Sequence, residues 1–152
     1  MTETAGLLDR DAIHLRERAA DRDAAIRRCG EVLVGTGAVD ASYVDAMLER
    51  ERSISTYVGE GVAIPHGTLA SKDAVHRDAL SFLRFPDTVD WGGGEPVTIC
   101  IGIAARGDGH VGILAALAQI LLEPGRAEAL RAADDPDEVL RLLRPAEEDA
   151  TA

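Results

Sequence analysis

"VTICIGIAARGDGHVGILAALAQILL", Val97–Leu122, sets the architecture of this chain. Its first eight residues, Val97–Ala104, are apolar and alternate little, which is the pattern of a central strand covered on both faces. The glycine-bearing "ARGDG" that follows is a loop. "HVGILAALAQILL", His110–Leu122, then predicts a helix that is apolar nearly all round and so packed inside. Working outward, "AIHLRE" (Ala12–Glu17) puts Ile13 and Leu15 on one face and His14 on the other, a short strand. "DRDAAIRRCGEVLVGTG" predicts a helix capped by Asp21, with Ala25, Cys29, Val32 and Leu33 at helical spacing and a stop at Gly35 or Gly37. "DASYVDAMLERERS" predicts a second helix, with Asp40 as its cap, Val44, Met47 and Leu48 inward, and Arg50 and Arg52 at its C-terminal end.

"GVAIPHG" reads as a strand ending at a loop, because Pro65 holds Ile64 extended. "DALSFLRF" (Asp78–Phe85) is a further strand, and "PDTVDWGGGEP" after it reads as a loop. Past the apolar helix, "GRAEALRAA" and "DPDEVLRLL" predict two more helices, the second with Asp135 as cap and Pro136 at its first helical position. "RPAEEDATA" reads as a polar tail. Strands and helices interleave with no repeat or linker between them, so the chain predicts one α/β domain over residues 7–145, helices flanking a mixed sheet. Residues 1–6 and 146–152 are then flexible tails.

The bulk numbers exclude several functions. A formal charge of −11 argues against nucleic acid, whose phosphates reward basic patches. No apolar run reaches the length of a membrane span and the N-terminus lacks the layout of a signal peptide, so the chain predicts a cytoplasmic protein without membrane insertion. Cys29 and Cys100, each in apolar sequence, read as buried free thiols.

Chemistry is suggested where apolar elements meet loops. "TYVGEGVAIPHG", Thr56–Gly67, delivers His66 between a proline and a glycine, and "IGIAARGDGH" delivers His110 at the start of a helix that Asp108 can cap. His14 and His76 sit among charged neighbours and read as surface residues. Taken singly, His66 or His110 is as readily a half-buried packing residue. If their two strands are neighbours, however, the strand ends can bring both imidazoles together. The N-terminus of the His110 helix attracts an anion and disfavours a charged imidazole. With Arg50 added, two histidines and one guanidinium suit a phosphoryl group: one neutral imidazole as nucleophile, one donor and one fixed charge. A zinc site lacks a convincing third ligand, Glu60 being the nearest candidate, and no metal or other cofactor is expected. No GxxxxGK[ST] loop or GxSxG elbow occurs.

These segments resemble a known family. "AMLERERSISTYVGEGVAIPHGTLASKD" resembles the phosphohistidine segment of the mannitol/fructose-type enzyme IIA domains of the bacterial sugar phosphotransferase system, and "VTICIGIAARGDGHVGILAALAQILLEP" resembles their second signature. "YVGEGVAIPHGTL" and "GIAARGDGH" look closest to the mannitol branch. The resemblance implies a five-stranded mixed sheet flanked by helices. It implies that His66 matches the phosphorylated histidine, His110 the second active-site histidine, and Arg50 the arginine beside it. The phosphoryl group would come from the phosphocarrier protein HPr and leave for a cysteine of enzyme IIB, serving uptake of mannitol or a related sugar. Neither Cys29 nor Cys100 resembles that cysteine, so the chain reads as a free-standing IIA. Val62, Ile64 and Leu69 are expected to form an apolar docking rim around His66. An alternative keeps the chemistry at His66 but has its phosphorylation state control another protein. A third, purely structural reading leaves both histidines to packing.

Overall fold

The computed structural model describes residues 8–106 and 109–151, with their side chains except at 69, 109–111 and 144–151. Among the described residues, β1 (Ile13–His14), β2 (Tyr57–Gly59), β3 (Val62–Ala63), β4 (Ala79–Asp90) and β5 (Pro96–Ala104) form one sheet in the order β1-β4-β5-β3-β2. β1 runs parallel to β4 and β3 parallel to β5, while β2–β3 and β4–β5 are antiparallel, so the sheet is mixed as expected. β5 occupies the centre. Val97, Ile99, Cys100, Ile101, Ile103 and Ala104 have no exposed surface, which explains why its sequence does not alternate. Each fully buried isoleucine there stabilises the fold by about 2 kcal/mol relative to exposure.

The helices are α1 (Arg22–Gly35), α2 (Ser42–Ser53), α3 (Gly109–Leu122), α4 (Arg126–Ala132) and α5 (Pro136–Thr151). α1 packs on β4, β5 and α2, whereas α3, α4 and α5 pack on one another. Asp21 caps α1 by accepting from Ala24 N at 2.8 Å, and Asp135 caps α5 by accepting from Glu138 N at 3.0 Å. The predicted cap of α2 is not made. Asp40 instead accepts from His76 Nε2 at 2.7 Å, and Ala41 holds the cap position without a side-chain bond. The Asp108 cap of α3 lies outside the described residues.

Three further elements differ from the sequence reading. β4 does not stop at Phe85. It continues to Asp90, pairing Val89 with Val97 and Asp90 with Pro96, so "PDTVDWGGGEP" is half strand and half turn. The register shifts between Arg84 and Val89, around a proline that can donate nothing to a ladder, and buried Val89 and Trp91 restore the alternation beyond it. Gly92, Gly93 and Gly94 all have positive φ and close the hairpin. α3 is not buried all round: Ile113, Ala116, Leu117, Ile120 and Leu121 face the core, while Gly112, Ala115, Ala118, Gln119 and Leu122 face outward. Small apolar residues cost little in water, so an apolar sequence need not mean a fully covered helix. Finally, residues 144–151, read as a polar tail, are the last turns of α5.

Cys29 on α1 and Cys100 on β5 are distant in sequence but adjacent in the core. Both are fully buried free thiols, and Cys29 Sγ lies 3.8 Å from the Cys100 carbonyl oxygen. Burial, reinforced by Cys29, pushes the Cys100 thiol well above its usual value. No helix of the described residues is long and apolar enough to cross a membrane.

Candidate functional site

His66 stands just past β3, where the strand leaves the sheet beside the C-terminal end of β5. A single parallel bridge joins it to Ile103, and Ile103 N donates to Pro65 O at 2.9 Å. The ring is buried, with 8% of the residue exposed. Its Nδ1 lies 3.0 Å from the carbonyl oxygen of Ile64. A carbonyl can only accept, so this bond puts the proton on Nδ1 and the lone pair of the neutral ring on Nε2. Proline and glycine on either side serve this placement. Pro65 still offers its carbonyl to β5, and Gly67 allows a close approach: a Cβ there would stand 2.5 Å from Tyr43 Cε1 and 2.6 Å from Ser71 Oγ.

Arg50 stands in the last turn of α2. Its Nη1 donates to Ile54 O at 2.7 Å, holding the half-buried guanidinium against the α2–β2 connection. Tyr57 pairs with Ala63, and Ile64 N donates to Thr56 O at 3.0 Å. Through Ile54, Arg50 is fastened to the segment that leads into β2, the sheet neighbour of β3. The condition for uniting His66 with His110 is met at the level of strands, because β3 and β5 are parallel neighbours and α3 begins soon after β5 ends. The side chain of His110 lies outside the described residues, as does that of Leu69.

Glu60, the candidate third metal ligand, sits in the β2–β3 turn at the other end of β3, with φ 58° and its carbonyl accepting from Arg131 Nη1 at 2.6 Å. It is remote from His66 along the strand. Two of the expected rim residues are also misplaced. Val62 is 0% and Ile64 6% exposed, because β3 is an interior strand between β5 and β2. Among the described residues, Ile54 and Val58, just after α2 and in β2, are large apolar side chains left exposed.

Two residues that the sequence does not single out organise the corner. Glu51, next to Arg50, is buried and accepts from Thr56 N at 3.0 Å, Thr56 Oγ1 at 2.5 Å and Trp91 Nε1 at 3.0 Å. It ties the end of α2 to the start of β2 and to the tip of the β4–β5 hairpin. Tyr43, in the first turn of α2 and on its core side, donates its hydroxyl to Ile103 O at 2.7 Å and accepts from Gly67 N at 2.9 Å. Burial raises the phenol above its ordinary value, against the opposing pull of the Gly67 N–H, so it remains a neutral hydroxyl able to do both. A glutamate interrupting the apolar face of a helix is the one local sign of the first; the second has none.

The family model described as the phosphoenolpyruvate-dependent sugar phosphotransferase system EIIA 2 matches residues 6–145. The mannitol-specific phosphotransferase enzyme IIA component of Geobacillus stearothermophilus is 39% identical over 137 residues, covering 90% of this chain and 94% of that protein. The multiphosphoryl transfer protein of Escherichia coli O157:H7 is 41% identical over 131 residues, and there the match covers 86% of this chain but 35% of the relative. Among solved structures, the complex of mannitol enzyme IIA with phosphorylated mannitol enzyme IIB from Escherichia coli superposes with a TM-score of 0.83 at 38% identity, covering 90% of this chain and 98% of that one.

Proposed function

This chain belongs to the EIIA 2 family of the phosphoenolpyruvate-dependent sugar phosphotransferase system, and from that premise we propose that it carries a phosphoryl group from phospho-HPr to a cysteine of enzyme IIB, for uptake of mannitol or a related polyol. The observation that carries the reading is the Nδ1–Ile64 carbonyl bond, which puts the nucleophilic lone pair of the His66 ring on Nε2. In this reading Nε2 attacks the phosphorus of the donor's phosphohistidine. The Nε2–P bond forms as the donor's N–P bond breaks, and the donor imidazole departs with the electron pair of that bond. His66 keeps its Nδ1 proton throughout, and the Ile64 carbonyl steadies that proton as positive charge grows on the ring.

Transfer of this kind is loose and in line, so the protein's work is to position the groups and offset charge on the equatorial oxygens. Arg50 and His110 are the residues we assign to that task. The reverse sequence of bonds delivers the group to the IIB thiolate and restores neutral His66. A surplus of acidic residues favours docking of a basic donor, and Ile54 offers an exposed apolar contact on the segment that holds Arg50. The reading places the protein in the cytoplasm, where such a donor works.

Incubation with phospho-HPr should yield an acid-labile phosphoryl adduct on this chain, and added IIB should discharge it. No adduct, under conditions that label another mannitol-type IIA, would remove the proposal. Arg50→Lys should slow uptake roughly tenfold or more, because a point charge replaces a planar fork already oriented by Ile54 O. Unchanged single-turnover rates in that variant would take Arg50 out of the site.

A further inference from the structure

The hydrogen bonds around Gly67 contain an inserted group. In a parallel ladder, the bond from Ile103 N to Pro65 O is followed by one from Gly67 N–H to Ile103 O. Here both of those atoms bind the Tyr43 hydroxyl: it accepts from Gly67 N at 2.9 Å and donates to Ile103 O at 2.7 Å. A side chain from α2 therefore stands in the ladder at the peptide that immediately follows His66. The fit is tight, since a Cβ at Gly67 would overlap the tyrosine ring, and Tyr43 is itself 4% exposed.

We infer that Tyr43 is a positioning residue for phosphoryl transfer, its hydroxyl fixing the His66–Gly67 peptide and so the direction in which the imidazole presents Nε2. The inference rests on His66 being the phosphoryl acceptor. The ring has two anchors along the backbone. On one side Nδ1 binds Ile64 O, two residues back; on the other the 66–67 peptide is held through Tyr43 to β5. Only with both fixed does rotation of the 66–67 segment stay closed. A direct ladder bond would draw the chain fully into the sheet, and no bond would let it swing. The interposed hydroxyl instead ties the strand end to β5 through both Gly67 N and Ile103 O. Because Tyr43 is buried, it contributes nothing to partner docking, and its effect should fall on the chemical step alone.

Tyr43→Phe keeps the ring and removes the hydroxyl. In this variant, amide exchange at Gly67 should quicken at least tenfold, and the ¹⁵N signals of the His66 imidazole should move from the Nδ1-protonated tautomer toward a mixture. The maximal rate of uptake from phospho-HPr should fall roughly ten- to a hundred-fold, with the KM for HPr unchanged. Val139→Ala, in the α5 core, serves as the control for lost stability, and all rates are taken well below each melting transition. Gly67→Ala strikes the same contact from the strand side and should reproduce the signature should Tyr43→Phe fold poorly. A normal maximal rate in Tyr43→Phe, an equal loss in Val139→Ala, or an unchanged imidazole tautomer would each overturn the inference. The imidazole and amide measurements need no partner protein, so they still decide the positioning role if the wild type accepts nothing from HPr; that failure would count against the proposed function alone.

Discussion

Replacing His66 with alanine should reduce labelling by phospho-HPr to background. The expected loss is total because the variant lacks the accepting nitrogen itself. Acceptance needs a neutral ring with the proton fixed on one nitrogen and the lone pair on the other, and the Ile64 carbonyl sets that tautomer at position 66. The variant should remain folded. Alanine removes the hydrogen bond to the Ile64 carbonyl but leaves the backbone bonds Ile103 N to Pro65 O and Gly67 N to Tyr43 Oη in place. Circular dichroism and a melting curve would establish that the loss is chemical. An acid-labile adduct persisting in this variant would move the acceptor elsewhere.

The second large effect is one of stability. Glu51→Ala should destabilise the fold by about 3–5 kcal/mol, because Thr56 N and Trp91 Nε1 would lose their acceptor inside the core. For a domain of this size that corresponds to a fall in melting temperature of roughly 10 °C. Glu51→Gln retains an acceptor oxygen and should lose about half as much. Trp91 is the only tryptophan, so its emission reports the cluster directly and should shift to the red in Glu51→Ala as water enters. A melting temperature within a degree or two of the wild type, with unshifted emission, would show that the buried carboxylate is dispensable. Arg50 is next to Glu51 and bonds to Ile54, so a loosened corner should slow transfer as well.

Much of this arrangement was legible in the sequence because it is local. β5 declares itself by a run, Val97–Ala104, that is apolar but for Thr98, α1 and α5 by an aspartate ahead of a helical pattern, and His66 by the proline and glycine around it. The family resemblance implies a fifth strand without locating it, since the three residues of β2 beside a glycine turn carry no periodicity of their own. What escaped was set by contacts between remote segments. Asp40 looks like a cap until His76, thirty-six residues later, takes its carboxylate. Glu51 meets Trp91 forty residues on, and Tyr43 meets Ile103 sixty residues on. The far half of β4 was hidden by Pro86, although Val89 and Trp91 retain the two-residue period of a strand. Val62 and Ile64 were mistaken for surface because β2, which covers their edge, was not seen.

The thiol pair in the core bears on how the relay could be watched. Since neither native sulfur meets solvent and Cys100 resists ionisation, a maleimide dye or spin probe attached through one introduced surface cysteine should report from that point alone. The wild-type sequence thus already serves as a background for distance measurements between this chain and whichever carrier it engages, with no need to strip out either buried residue first.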